Sequence, residues 1–235
     1  MNTVIIIIIN IRRMNKYKNA NEAFHSCLNH IISFGKEFDN TLALFNVGFT
    51  IENPMDNSIV EMKDGYYDYK RNWKQEYAEA EWQWYLSGDN HIKTLGDIYG
   101  KVPEIWKRMA DDRGYVNSNY GWQWKRQNQI DYVINLLKEN PKTRRAAISI
   151  YDAKEHHEYK HDTPCTYAVQ FTIIDGKLCM SVYMRSNDLW YGFCNDQYCF
   201  SKLQELVATE TGLLIGSYYH FAHNLHLYDN IIEKL

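Results

Sequence analysis

The sequence predicts an α+β fold, a mainly antiparallel but mixed β-sheet with helices packed on it. Three observations carry that expectation. Residues 166–174 and 177–185 alternate apolar and polar side chains on either side of Asp175-Gly176, which signals a hairpin closed by a two-residue turn. Other stretches, such as 19–34 and 200–211, repeat apolar residues at helical spacing. No Pro- or Ser-rich linker divides the 235 residues, a length that suits one large domain with a sizeable core, here taken as 1–235.

Each element has its own local reason. Residues 19–34 set Ala23, Cys27, Ile31 and Ile32 along one helical face, with Asn19 or Asn21 as the cap. Residues 41–51 alternate as a strand does. Residues 72–86 are aromatic and acidic at helical spacing and stop at Ser87-Gly88-Asp89. A third helix is expected over 127–138. From 145–151 onward the chain reads as strands, through the hairpin, until an amphipathic helix at 200–211 ends on Gly212 and 217–226 returns to extended structure. No internal repeat is present. Residues 1–13, which hold the apolar run 4–9, read as an edge strand or an extension ahead of Met14. That run falls far short of the roughly 20 residues of a membrane helix, and no small-residue cleavage site follows it.

Composition narrows the function classes. A net charge of -3 argues against a nonspecific duplex-binding surface, which needs clustered Lys and Arg, while leaving room for a small anion held by a few arginines. The 19 Tyr and 7 Trp supply flat amphipathic surfaces suited to packing or to a planar ligand. Five cysteines make an odd count with no CxxC pair, which suits a reducing cytoplasm better than a disulfide framework. The nine histidines show no spacing that makes a metal site, and His220 and His223 read as satisfied structural residues.

Chemistry concentrates in Pro164-Cys165-Thr166-Tyr167-Ala168-Val169-Gln170-Phe171, then Arg185-Ser186-Asn187-Asp188 and Gly192-Phe193-Cys194-Asn195-Asp196. If the two hairpin strands pair, Arg185 comes beside Cys165. Positive charge lowers a thiol pKa and raises its nucleophilic thiolate fraction. A thiolate, a guanidinium and a carboxylate together suit chemistry on a nucleotide base.

These motifs, followed by His226-Leu227-Tyr228, resemble the thymidylate synthase superfamily in order and spacing, from about Glu81 to Tyr228. The stretch Asn117-Ser118-Asn119-Tyr120-Gly121-Trp122, with the Cys-Thr pair and the Asn-Asp pair at 195–196, is more similar to phage deoxycytidylate hydroxymethylases. The resemblance implies a thymidylate synthase-like fold and one-carbon transfer from 5,10-methylenetetrahydrofolate to C5 of a pyrimidine nucleotide, after Cys165 adds at C6. It implies that Glu81 organises water and protons, and that Tyr120 assists proton removal at C5. Arg185 and Ser186 would serve the phosphate, as would Arg144 and Arg145 reaching across a homodimer interface. His226 and Tyr228 would hold the ribose 3'-hydroxyl. Asp188 would bind the folate pterin, with Trp106 and Gly192 beside it. The fourth phosphate-binding arginine of synthases is absent, and Lys36 stands near its place as a point charge without the guanidinium fork.

Asp196 stands where synthases carry Asn. A carboxylate accepts from the cytosine amino group, with a proton shared with N3 to complete the pair, but opposes acceptor to acceptor at uracil O4, which favours dCMP. Thr166 replaces the usual histidine, and the chain runs only seven residues past Tyr228, where synthases close a tail over the folate. Both departures suit water attack and a hydroxymethyl product. The resemblance thus implies a dCMP 5-hydroxymethyltransferase, phage-encoded and working in the host cytoplasm. Some relatives with Asp at this position are thymidylate synthases, which keeps methylation of dUMP as the alternative. A non-catalytic nucleotide- or RNA-binding relative is the third reading.

Overall fold

The computed structural model describes residues 15–60, 71–159 and 162–235, so the 4–9 run and the proposed 1–13 extension lie outside the described residues. An eight-stranded sheet forms the spine: β1 (Asn15–Tyr17), β2 (Lys36–Phe38), β3 (Thr41–Ile51), β4 (Ala147–Ser149), β5 (Thr166–Ile174), β6 (Lys177–Met184), β7 (Asn187–Asp188) and β8 (Leu214–Tyr228). Its order is β1-β3-β8-β6-β5-β4, with β2 beside β3 and β7 beside β8. The long pairings β3–β8 and β5–β6 are antiparallel, whereas β6 and β7 run parallel to β8. The expected α+β, mixed and mainly antiparallel architecture is therefore the one observed.

The hairpin forms as its turn dictates. Asp175 and Gly176 both take positive φ, 51° and 74°, and Ile174 pairs directly with Lys177. Such a turn matches the twist of the strands it joins. Alternation then sends Val169, Phe171, Leu178, Met180 and Val182 to one face, all buried, and leaves Tyr183, Tyr219 and Phe221 on the other, where the register shift between Thr166 and Ala168 brings Tyr167 to join them.

Helices cover the apolar face: α1 (Ala20–Phe34), α2 (Gln75–Ser87), α3 (Ile92–Tyr99), α4 (Glu104–Met109), α5 (Tyr120–Lys125), α6 (Gln129–Glu139), α7 (Cys194–Thr211) and α8 (Asp229–Ile232). Asn19 caps α1, its side chain accepting from Glu22 N–H, as expected. Gly88 and Gly212 end α2 and α7 with left-handed backbone.

Three elements differ from expectation. The strand foreseen at 145–151 is only Ala147–Ser149, since Ile150 pairs outside a regular ladder. The third helix begins at Gln129, because Gln127 and Asn128 both take left-handed φ. Helix α7 starts at Cys194 rather than 200, preceded by a π-helical turn at Leu189–Phe193. Asp188 accepts from Trp190 and Tyr191 N–H and so initiates that turn.

Candidate active site

Cys165 sits immediately before β5, and its carbonyl accepts from Arg185 N–H at 2.8 Å, so the hairpin register does bring the two together. The Arg185 guanidinium donates to Thr163 O at 2.9 Å and Pro164 O at 3.1 Å. Tyr151 donates its hydroxyl to Pro164 O as well, which fastens the approach to the cysteine.

Arg185 acts to lower the Cys165 pKa, as expected, but its surroundings outweigh it. Burial pushes the thiol up to about 11; Arg185 opposes that, while Asp196, Asp162 and Asp188 add to it. Desolvation and three carboxyls outweigh one guanidinium.

Glu81 projects from the buried face of α2 and is itself buried. Tyr77 donates to its Oε1 at 3.4 Å, and Trp106 Nε1 donates in turn to Tyr77 Oη at 2.8 Å. Burial first, then the neighbouring Asp196, push the Glu81 carboxyl up to about 8. Glu79 faces elsewhere, accepting from Tyr198 Oη at 2.6 Å. Tyr120 opens α5, which Asn119 caps by accepting from Trp122 N–H. Asp162 accepts from the Asn117 and Ser118 N–H groups, tying that loop to the segment before Cys165. The Tyr120 hydroxyl accepts from Thr166 N–H at 3.2 Å, next to the cysteine. Thr166 Oγ1 is buried without a hydrogen-bond partner among the described residues.

Asp196 lies in the first turn of α7, where burial raises its carboxyl to about 7. Its charge couples to Cys165, Glu81 and Tyr120, so four of the expected catalytic residues share one electrostatic neighbourhood. His226 and Tyr228 alternate on β8 with rings 5.1 Å apart and therefore share a face, as expected. Arg185 faces both. Ser186 follows Arg185 at the end of the hairpin and is half-buried. Lys36 is exposed on β2, in the cross-strand row that runs through Ala43 to His226.

Asp188 offers a fit for a pterin. Its Oδ1 is taken by two backbone N–H groups and its Oδ2 has no hydrogen-bond partner among the described residues; burial raises the carboxyl to about 6. A Cβ at Gly192 would sit 3.3 Å from both Asn187 Nδ2 and Asp196 Oδ2, so the glycine keeps that approach open. Trp106 packs edge-on against Trp84 at 5.1 Å. Arg144 and Arg145 do not join this cluster through any ion pair among the described residues; both are exposed before β4.

Two residues near Asp196 carry no role in the sequence reading. Asn187 donates to Asp196 Oδ2 at 2.8 Å, and His220 Nε2 lies 3.1 Å from Asn187 Oδ1. The even spacing from His220 to His226 on an alternating strand was the available signal, since it places both on one face.

Among solved structures, the fold is similar to thermostable thymidylate synthase A from Bacillus subtilis, with a TM-score of 0.72, 26% identity and coverage of 91% of this chain and 81% of that one. A family model for thymidylate synthase matches residues 23–235, and the chain belongs to the thymidylate synthase family. Curated relatives include thymidylate synthases of Buchnera aphidicola subsp. Baizongia pistaciae, 33% identical over 64% of this chain, and Fusobacterium nucleatum subsp. nucleatum, 35% identical over 67% of it. The chain spans 59% and 57% of the lengths of those two relatives. The family uses methylenetetrahydrofolate as its one-carbon donor. No helix among the described residues is long and apolar enough to cross a membrane.

Proposed function

We propose that this chain transfers a one-carbon unit to C5 of a pyrimidine deoxynucleoside monophosphate, in the manner of a thymidylate synthase acting on dUMP. The carrying observation is the single neighbourhood that holds Cys165, Glu81, Tyr120 and Asp196. The Cys165 sulfur adds to C6, and the C5=C6 electron pair moves to C5, which becomes enamine-like and nucleophilic. Loss of the C5 proton toward the Tyr120 side would break the bond from the new methylene to its carrier, hydride or water would then add to that exocyclic methylene, and departure of the Cys165 thiolate would re-form the C5=C6 double bond. Bound methylenetetrahydrofolate supplies the one-carbon unit and, for a methyl product, the hydride. Asp188 Oδ2, Gly192 and Trp106 would hold its ring.

Since the thiol rests at about 11, attack needs added positive charge or a proton acceptor. Arg144 and Arg145 of a second copy, beside the phosphate with Arg185 and Ser186, would supply the charge. A phosphate dianion suits bidentate guanidinium contacts. Lys36 would add a weaker point charge, and His226 with Tyr228 would hold the 3'-hydroxyl. Glu81, raised to about 8, is protonated at neutral pH and able to shuttle a proton at the ring.

The choice of base turns on Asp196. As a neutral acid it offers one donor and one acceptor, as the synthase amide does, and pairs with uracil N3–H and O4. As a carboxylate it opposes acceptor to acceptor at uracil O4 but accepts from the cytosine amino group, with a proton shared with N3 to complete that pair. With the carboxyl at about 7, both forms are populated at neutral pH. Family membership and the curated relatives favour dUMP; Asp196 in its ionised form favours the second reading, 5-hydroxymethylation of dCMP.

Incubation of the chain with methylenetetrahydrofolate and each nucleotide tests both readings. Formation of dTMP with dihydrofolate supports the first, and 5-hydroxymethyl-dCMP the second. Absence of either product and of tritium release from 5-tritiated nucleotides would overturn both, in favour of a binding relative without catalysis.

A further inference from the structure

Arg185 clasps the two carbonyls just ahead of the nucleophile. Its Nε–H donates to Pro164 O at 3.1 Å and an Nη2–H to Thr163 O at 2.9 Å. Those two N–H groups form one edge of the guanidinium fork. The other edge, Nη1–H with the second Nη2–H, makes no hydrogen bond among the described residues, and the charge has no ion pair among them. Arg185 is exposed and faces His226 and Tyr228 on β8. One bidentate edge of an accessible guanidinium is therefore open to an anion.

A second donor sits on the same carbonyl and has no part in the mechanism above. The Tyr151 hydroxyl donates to Pro164 O at 3.0 Å, so it and Arg185 Nε–H fill the two lone pairs of that oxygen. Pro164 is buried, which makes both bonds costly to lose. Tyr151 is itself held on two sides. Its ring lies on His156 at 4.6 Å and 22°, and His156 Nδ1–H donates to Asp152 O at 2.7 Å. The Ile150 and Tyr151 N–H groups donate to Tyr167 O at 2.9 and 3.4 Å, which extends the hold of β5 past the end of β4. Burial raises the Tyr151 hydroxyl above the ordinary tyrosine range and the Arg185 charge opposes that, so the phenol oxygen lies beside the guanidinium.

We propose that Tyr151 is a positioning residue: by holding Pro164 O and flanking the guanidinium, it keeps one edge of Arg185 on its own chain and aims the other at the phosphate of the nucleotide. This deepens the reading above and rests on Arg185 being a phosphate ligand. Tyr151 acts through Pro164 O and Arg185 and touches no substrate. An arginine already fixed on two carbonyls has little rotamer freedom left to lose, so less entropy opposes capture of the anion.

Calorimetric titration of the full chain with dUMP, deoxyuridine and inorganic phosphate tests this without turnover, and the inorganic ion makes the outcome independent of which base is read. Tyr151→Phe removes one oxygen and keeps the ring on His156. It is expected to weaken dUMP and inorganic phosphate by a common factor of about fivefold, the scale of one partly buried hydrogen bond, and to leave deoxyuridine unchanged. A purely structural role would loosen the segment before Cys165 and weaken nucleoside and nucleotide alike. Equal losses therefore overturn the proposal, as does an unchanged affinity for phosphate in folded Tyr151→Phe. If that variant does not fold, Tyr151→Met, an adaptable side chain without a hydroxyl, makes the same comparison. A double-mutant cycle reads the coupling to Arg185. In Arg185→Lys, whose ammonium cannot span two carbonyls and an anion, adding Tyr151→Phe is expected to cost less than about 1.5-fold further on phosphate, and fully additive losses overturn the proposal. Arg185→Lys also separates the two levels. Phosphate binding unaffected by that change overturns the reading of Arg185 itself, whereas binding that responds to Arg185→Lys but not to Tyr151→Phe removes the role of Tyr151 alone.

Discussion

Two electrostatically coupled carboxyls, Glu81 and Asp196, are held above the ordinary carboxylate range, to about 8 and about 7. Burial is the first cause for both, so the folded state resists ionising groups that the unfolded chain ionises freely. Folded-state values above the unfolded ones mean that the associated stability is fully present below the unfolded carboxylate pKa and is lost as pH rises through about 8. Urea unfolding is therefore expected to show stability falling between about pH 5 and about pH 8, and Glu81→Gln to flatten that fall. A slope unchanged in the variant would count against a buried, protonated Glu81. Cys165→Ser is expected to abolish turnover while nucleotide binding, measured by calorimetry, persists, since the hydroxyl is a far poorer nucleophile in the same volume. Asp196→Asn restores the amide of synthases. It is expected to move the kcat/KM ratio toward dUMP by about a hundredfold, the scale set by opposing two acceptors in a buried site.

At the scale of elements, α5 rests on the end of α2 at Gly121, where an added Cβ would come within 2.0 Å of Tyr85 O and 2.2 Å of Tyr85 Cα. Neither backbone can yield without moving Tyr120 or Glu81, which the two helices present to the site. Gly121→Ala is expected to cost about 3 kcal/mol in thermal or urea unfolding and to lower kcat in whatever folds. The same scale explains what the sequence disclosed. The hairpin was legible because Asp175-Gly176 determines its own turn, and with it the register that sets Arg185 beside Cys165. The start of α7 was not, because Gln197 on its buried face, whose Nε2 donates to the Pro54 carbonyl, reads as polar surface. The short helices α3, α4 and α5 present too few apolar repeats for a period to emerge. Glu81 and Tyr120 were legible through motifs, whereas the hydrogen bonds that link His220 to Asn187 and Asn187 to Asp196 join residues whose partnership exists only after β7 pairs with β8.

For the whole molecule, the sheet face away from the helices carries an aromatic layer. Tyr183 stands 6.2 Å from Tyr167 and 6.3 Å from both Tyr219 and Phe221. These rings are only half-buried in one chain, and a second copy packed back to back would cover them by a two-fold related contact. Such a dimer would give Arg144 and Arg145, exposed and without an ion pair among the described residues, the destination proposed for them in the partner's phosphate site. The arrangement makes a prediction that no monomer meets. Cys165→Ala and Arg145→Ala are each expected to be inactive alone, yet an equimolar mixture, unfolded and refolded together, should regain activity. Half of the random dimers then pair one variant with the other, and each mixed dimer holds one site with an intact Cys165 and an intact arginine from across the interface. Recovery should approach about a quarter of the unmutated chain's rate. If the mixture stays inactive while light scattering shows mixed dimers, the arginines serve their own chain and the crossing is excluded.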